Sequence, residues 1–312
     1  MHIILDFDGT ITQNDTINAL SSAAVAFRQQ QQQQQQKVEA QEEDWTNHWT
    51  SIVDAYVADY LAHVSGYEPL ESERTDLVSE LGFLDAMREA VDLPSIQRVH
   101  DSRLFAGITA DQLTQAGRDA STADTGTVRL RAGFSSFLDD ISGRRGWPVS
   151  IVSINWSDAW IRGVIESSPH SQGVSIFSNK VTVSGRIVPN FNLRVPTDQE
   201  PSEPSEPLEP LVSCSDKHET MKVAAELAEE QVVYIGDAMT DIMCLTNAEA
   251  GGIVMASGGP GGSSTLKALA RLKKEIPHVS DSPKFSTVRT PGSLRLAWAA
   301  DFDEILSSGI LD

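Results

Sequence analysis

The chain has 312 residues, 40% of them apolar, and its 44 acidic residues against 24 basic ones give a net charge of −20. Such a length supports a sizeable core, in one large domain with a smaller one beside it. The charge argues against nucleic acid as a partner, since phosphate-backbone binding rests on Lys and Arg; most of the carboxylates form solvated surface.

Only two cysteines are present, Cys214 and Cys244, so a reducing compartment is expected rather than a disulfide framework. No apolar stretch approaches the roughly 18–20 residues that span a bilayer, and no basic segment leads into an apolar one. No membrane partner is therefore expected, and the compartment expected is the cytoplasm, with the nucleus as a further location. With the first strand starting at His2, no cleaved leader is expected either.

The chain opens with "MHIILDFDGTIT", in which the apolar strand His2–Asp6 runs into Asp8, Gly9 and Thr10. From Thr16 to Thr127 no strand stands out, and helical runs fall at Trp45–Tyr60, Glu73–Arg88 and Leu93–His100. A glutamine tract, Gln29–Gln36, interrupts this region and continues into acidic residues. Its composition suits a helix extension or a passive surface expansion.

Beyond it, strands at Val149–Ser153, Val174–Phe177, Val232–Ile235 and Gly252–Met255 alternate with helices at Trp156–Ser167, Lys217–Glu229, Asp237–Thr246 and Ala299–Leu306. Asn179–Phe191 reads as a hairpin turning at Ser184-Gly185. The run 196–210, rich in Pro, Glu and Ser, reads as a loop, and "SGGPGG" at 257–262 as a flexible turn. The alternation predicts an α/β fold with a Rossmann-like parallel sheet core, 1–15 and 128–312, and a helical cap, 16–127, inserted after the first strand.

In a parallel sheet, ligands bind outside the carboxyl ends of the strands. Asp6, Asp8, Ser153, Asp237 and Asp241 are all expected there, with Lys217 at a helix start. So many carboxylates against one lysine would repel one another unless a divalent cation intervened. Oxygen ligands of this kind suit Mg²⁺, which keeps waters and leaves room for a phosphate.

The ordered set "DFDGT", a Ser at a strand end, a Lys at a helix start and "GDAMTD" resembles the four motifs of the haloacid dehalogenase-like hydrolases. The insertion directly after the first motif is similar to the phosphoserine-phosphatase-like branch. "SINWSDAWIR", "SDKHETMKVAAEL" and "VYIGDAMTDIMCL" also look similar to the phosphatase half of plant thiamine monophosphate phosphatases. The glutamine tract and the 196–210 loop depart from both relatives.

The resemblance implies a Mg²⁺-dependent phosphomonoesterase working through an aspartyl-phosphate. It makes Asp6 the nucleophile and Asp8 the acid and base, with Gly9 permitting close backbone approach. Ser153 and Lys217 would bind the phosphoryl oxygens. Asp6, Asp237 and the main-chain carbonyl of Asp8 would ligate the metal, while Asp241 orients a metal water or pairs with Lys217.

Substrate-binding roles are implied for Asn155 and for Asp15, which serves equally well as a helix cap. Arg131 and Asn179 suit salt-bridge and turn roles, and Trp156 and His218 adjoin the motifs. Ser150 lies too early in its strand, and Lys222 is expected to face solvent. Trp45, Trp49, Tyr56 and Tyr60 share one face of a cap helix, where they pack the cap or line its mouth.

Thiamine monophosphate leads the expected substrates, followed by phosphoserine, pyridoxal phosphate and nucleotides. Transfer of the phosphoryl group to another acceptor, and a non-catalytic interaction scaffold, are the competing readings.

Overall fold

A computed structural model describes residues 1–35, 44–122, 126–191, 209–226, 231–286 and 295–312. The acidic run 39–43 and positions 196–208 of the Pro/Glu/Ser stretch lie outside these residues. The strands are β1 His2–Leu5, β2 Val149–Val152, β3 Ser175–Phe177, β4 Asn179–Val181, β5 Ile187–Pro189, β6 Val232–Gly236, β7 Gly251–Met255 and β8 Arg295–Ala299. Six of them form one sheet in the order β3-β2-β1-β6-β7-β8, with every neighbouring pair parallel. β4 and β5 form the separate antiparallel hairpin expected at Ser184-Gly185, and Gly185 turns it at φ +83°.

Alternation along the strands explains why the sheet is covered on both sides. Ile3, Leu5, Ile151, Val233, Ile235 and Ile253 point into one apolar cluster, while Ile4, Val152, Tyr234 and Val254 point into another. A strand buried on both faces reads as an uninterrupted apolar run, which is how β1 and β6 appear in the sequence.

Between β1 and β2 lie α1 Ile17–Gln35, α2 Trp45–Gly66, α3 Leu77–Met87, α4 Leu93–Ser102, α5 Ala110–Ala120 and α6 Phe134–Leu138. One turn of π-helix, Arg88–Asp92, joins α3 to α4. After β2 come α7 Asp158–Ile165, α8 Cys214–Glu226, α9 Ile242–Leu245, α10 Ser264–Arg271 and α11 Phe302–Ser308. Gln29–Gln35 form the last turns of α1, so this part of the glutamine tract extends a helix. No helix among the described residues is long and apolar enough to cross a membrane.

One expectation changes at the C-terminal end. The helix expected from Ala299 begins only at Phe302, where Asp301 accepts a bond from the backbone N–H of Glu304 at 3.0 Å; Ala299 instead ends β8. Within the 16–127 stretch expected to form the cap, α5 lies tightly against the core helix α7. A Cβ at Gly163 would sit 2.0 Å from the Thr114 carbonyl oxygen, and one at Gly117 would sit 2.5 Å from that of Trp160. Glycines here let two backbones touch.

The inserted helix α3 meets the core partly through charge. Arg271, in the last turn of α10, donates to Glu80 of α3 at 2.6 Å, and Glu80 also accepts from Arg74 at 3.1 Å. Glu80 and Arg74 are both buried, so this is a paired charge cluster taken out of water.

The α5–α7 contact yields a test. Gly163→Val forces branched carbons into a neighbouring backbone, and overpacking of this kind costs about 1–3 kcal/mol. We expect a clear drop in thermal midpoint, whereas Gly173→Ala, whose Cβ would meet nothing within 4 Å, leaves it nearly unchanged.

Candidate active site

The strand order reverses between β1 and β6, with β2 and β3 on one side and β7 and β8 on the other. Loops diverge at such a point and leave a crevice outside the carboxyl ends. Register aligns Leu5 with both Ile151 and Ile235, so the residues following these strands emerge together. Asp6, Ser153 and Asp237 are those residues.

Asp6 is 2% exposed, and its Oδ1 accepts from Lys217 Nζ at 2.7 Å. The same ammonium donates to Asp241 Oδ1 at 2.7 Å. Burial would depress Lys217, but the Asp241 and Asp6 carboxylates overturn that and raise its pKa above the ordinary lysine value. It therefore stays charged. Burial and then repulsion from Asp241 push Asp6 well above the usual carboxylate range, with Lys217 offsetting part of this.

Asp241 is saturated with donors. Besides Lys217, its Oδ1 accepts from the Tyr234 hydroxyl at 2.6 Å, and its Oδ2 from the backbone N–H groups of Asp237 and Ala238, each at 3.0 Å. It closes the turn after β6 and fixes Lys217.

Asp237 and Asp6 share the hydroxyl of Thr10, at 3.0 Å and 3.3 Å. Burial and the neighbouring Asp241 raise Asp237 to about 6. Gly9, at φ +74°, lies so close that a Cβ there would sit 2.3 Å from Asp237 Oδ2. Only glycine suits both that approach and that conformation.

Oxygen atoms of Asp6, Asp237 and Asp241 lie within 4.8 Å of one another, and the all-oxygen donor set fits a hard divalent cation. Since four donors already occupy Asp241, the carboxylates open to a cation are Asp6 and Asp237.

Arg131 braces this loop from behind. It donates to the carbonyls of Gly9, Thr10 and Ala300 and to the Ser257 hydroxyl. Its guanidinium thus holds main chain, in keeping with a structural role.

Asp8 faces the other way. Its Oδ1 accepts from the backbone N–H and hydroxyl of Thr16, at 2.8 and 2.7 Å, and its Oδ2 accepts from Asn155 Nδ2 at 2.7 Å. Burial, then repulsion from Asp15, raises it to about 7 despite these donors. A carboxyl so placed can hold or release a proton near neutrality.

Asn155 is buried and spends its amide on Asp8, Thr16 and the backbone N–H of Ser157. It positions Asp8 rather than facing open space. Asn179 holds the same loop by donating to the carbonyls of Ile154 and Asn155. Ser153 Oγ accepts from the Asn155 backbone N–H at 3.1 Å, which leaves its own proton available to donate.

A cavity of about 440 Å³ is lined by the chain neighbours of the residues that hold Asp8. Asp15 and Ile17, the neighbours of Thr16, line it, as do Ile154 and Trp156, the neighbours of Asn155. The two residues that grip Asp8 are thus bracketed by cavity wall. Trp49 and Tyr56 of α2 form a further wall, with Trp49 edge-on to Trp156 at 6.2 Å. Trp45 is instead buried against Arg28, and Tyr60 stacks on Tyr56 without lining the cavity. Asp15 also accepts from the backbone N–H of Ile17 at 2.8 Å, so rim and cap roles coincide in it.

The other residues singled out in the sequence lie elsewhere. Lys222 pairs with Glu219 at the surface, Ser150 bonds His2 inside the sheet, and His218 meets Asn247. The sequence reading passed over Thr10, Thr16, Tyr234 and Asp92. Two hydroxyls within "DGTITQNDT", beside two carboxylates, were the available signal for the first pair.

No family model matches the chain. It is 22% identical to Cold tolerance protein 1 of Saccharomyces cerevisiae over 275 residues, 81% of this chain and 78% of that protein. A CTO1 family protein of Schizosaccharomyces pombe is 26% identical over 261 residues, 78% of each chain.

Among solved structures, a substrate-bound phosphoserine phosphatase complex aligns at TM-score 0.47 and 14% identity, covering 98% of this chain and 96% of that one. Cytosolic 5′-nucleotidase IIIB bound to cytidine aligns at TM-score 0.48 and 12% identity, covering 99% and 83%. Likenesses at this level assign no activity.

Asp241 offers a structural test. Removing one partner of a buried ion pair costs about 3–5 kcal/mol, so Asp241→Asn should lose stability of that order in urea denaturation. Lys222→Met, at the exposed pair with Glu219, should change it by less than about 1 kcal/mol.

Proposed function

We propose that the protein is a Mg²⁺-dependent phosphomonoesterase that hydrolyses a small phosphorylated metabolite through an aspartyl-phosphate on Asp6. One observation carries this reading: a buried carboxylate gripped by a lysine and a second carboxyl two residues on, held separately by Thr16 and Asn155 beside a cavity. The pair divides naturally into nucleophile and proton carrier.

Asp6 attacks phosphorus, the ester P–O bond breaks, and the Asp8 proton passes to the departing alkoxide. Asp8, now a carboxylate, takes a proton from water as that water attacks phosphorus. The bond to Asp6 then breaks, releasing inorganic phosphate and restoring both carboxyl groups. Lys217 and the Ser153 hydroxyl donate to the phosphoryl oxygens, where charge builds up.

Asp6, Asp237 and the main-chain carbonyl of Asp8 would hold Mg²⁺, which when bound supplies positive charge against the phosphoryl group. Asp241 keeps Lys217 in place.

Asp6→Asn keeps the shape and removes the attacking charge. A loss of about 3–5 kcal/mol of transition-state stabilisation corresponds to roughly a 10²–10⁴-fold fall in kcat. That fall is expected with an unchanged circular dichroism spectrum, and EDTA should abolish wild-type turnover until Mg²⁺ is restored. Near-normal turnover by the Asn variant would rule out the covalent route.

Thiamine monophosphate is the first substrate candidate, ahead of phosphoserine, pyridoxal phosphate and nucleotides. The aromatic walls at Trp49, Tyr56 and Trp156 support a flat ring system there. We expect a higher kcat/KM for thiamine monophosphate than for phosphoserine; equal values, or the reverse order, would remove it from first place.

A further inference from the structure

The cavity walled by Trp49, Tyr56 and Trp156 has a charge sign of its own. Asp15 enters it from the start of α1, and Asp92, at the junction of the π-turn and α4, enters from the cap. Among the described residues lining it there is no Lys, Arg or His. Its remaining walls are aromatic or aliphatic, with Asn18 and Ser95 the other polar residues.

The Asp92 side chain makes no hydrogen bond to the described residues, although it is only partly exposed. Arg88, the cation that acts on it, is also drawn to Glu89, Glu209 and Asp216. Burial, only partly offset by Arg88, raises Asp92 to about 7. A carboxylate there shares its counter-charge with three other acids.

We propose that this cavity is the leaving-group pocket and that it selects phosphate esters of cationic alcohols, with Asp92 the specificity-determining residue opposite Asp15. This rests on the phosphomonoesterase reading above and deepens it from one candidate compound to a rule of charge. Position supports the leaving-group role, because the pocket wall is continuous with the residues gripping Asp8, which protonates the departing oxygen. A cation held there gains Coulomb attraction from two carboxylates and quadrupole attraction from Trp49, Tyr56 and Trp156. A leaving group bearing a carboxylate meets two like charges and no basic side chain, so it is rejected.

Matched esters test this directly. Phosphocholine and 3,3-dimethylbutyl phosphate differ in a quaternary nitrogen against a carbon, and phosphoethanolamine and phosphoserine differ by one carboxylate. We expect kcat/KM to favour phosphocholine over its neutral isostere by about 10-fold or more, and phosphoethanolamine over phosphoserine similarly. Asp92→Asn should shrink the phosphocholine-to-isostere ratio several-fold, whatever it does to the absolute rates.

Equal rates within the first pair, preference for phosphoserine in the second, or a ratio unmoved by Asp92→Asn would each overturn the assignment. Activity toward p-nitrophenyl phosphate alongside any of these would leave the phosphatase reading standing. Inactivity toward all five esters would strike down the phosphatase reading itself, and the leaving-group pocket with it.

Discussion

One buried ammonium, that of Lys217, holds together the carboxyl edge of the sheet. It bridges Asp6 and Asp241 at 2.7 Å each in a place from which water is excluded. Transferring such charges out of water costs several kcal/mol per ion unless each finds partners. The surroundings meet that demand unevenly. Asp241 receives a phenol, two backbone N–H groups and the lysine, whereas Asp237 receives one hydroxyl from the described residues. The uncompensated charge is therefore concentrated on Asp6 and Asp237, the two carboxylates that can still accept a cation.

That imbalance dictates much of the local sequence. Gly9 allows the β1 loop to pass within contact of Asp237, and Thr10 lends one hydroxyl to two acids. Arg131 ties the loop's carbonyls to the segment after β8, from the opposite end of the chain. The second carboxyl, Asp8, belongs to a separate network anchored on Thr16 and Asn155. A two-residue offset at a strand end thus serves two environments, one dominated by lysine and one by neutral donors.

The sheet was legible because buried parallel strands leave apolar runs that end abruptly in polar residues, as "HIILD" and "VVYIGD" do. β8 was not, because it is a partly exposed edge strand whose "RLAWA" pattern runs straight into a stronger helical signal after Asp301. Asp6, Lys217 and Asp237 could be grouped from motif order alone. The contact of Asn155 with Asp8 could not, because 147 positions separate them and only the fold brings them together. Asp92 was equally hidden: its significance comes from a cavity made by helix packing, and nothing in "REAVDLP" announces a wall. Likewise, the glycines joining α5 to α7 look like ordinary helix breakers until the two backbones are seen in contact.

The central claim is that Asp6 carries the phosphoryl group between the two half-reactions. Rapid-quench trapping during turnover, followed by borohydride reduction and peptide mass mapping, reads this directly. The account predicts that Asp6, within the peptide beginning "MHIILDFDGT", is converted to homoserine in a substrate-dependent way while Asp8 is untouched. Reduction at Asp8, or no reduced aspartate in an enzyme that is turning over and quenched in the steady state, would contradict it.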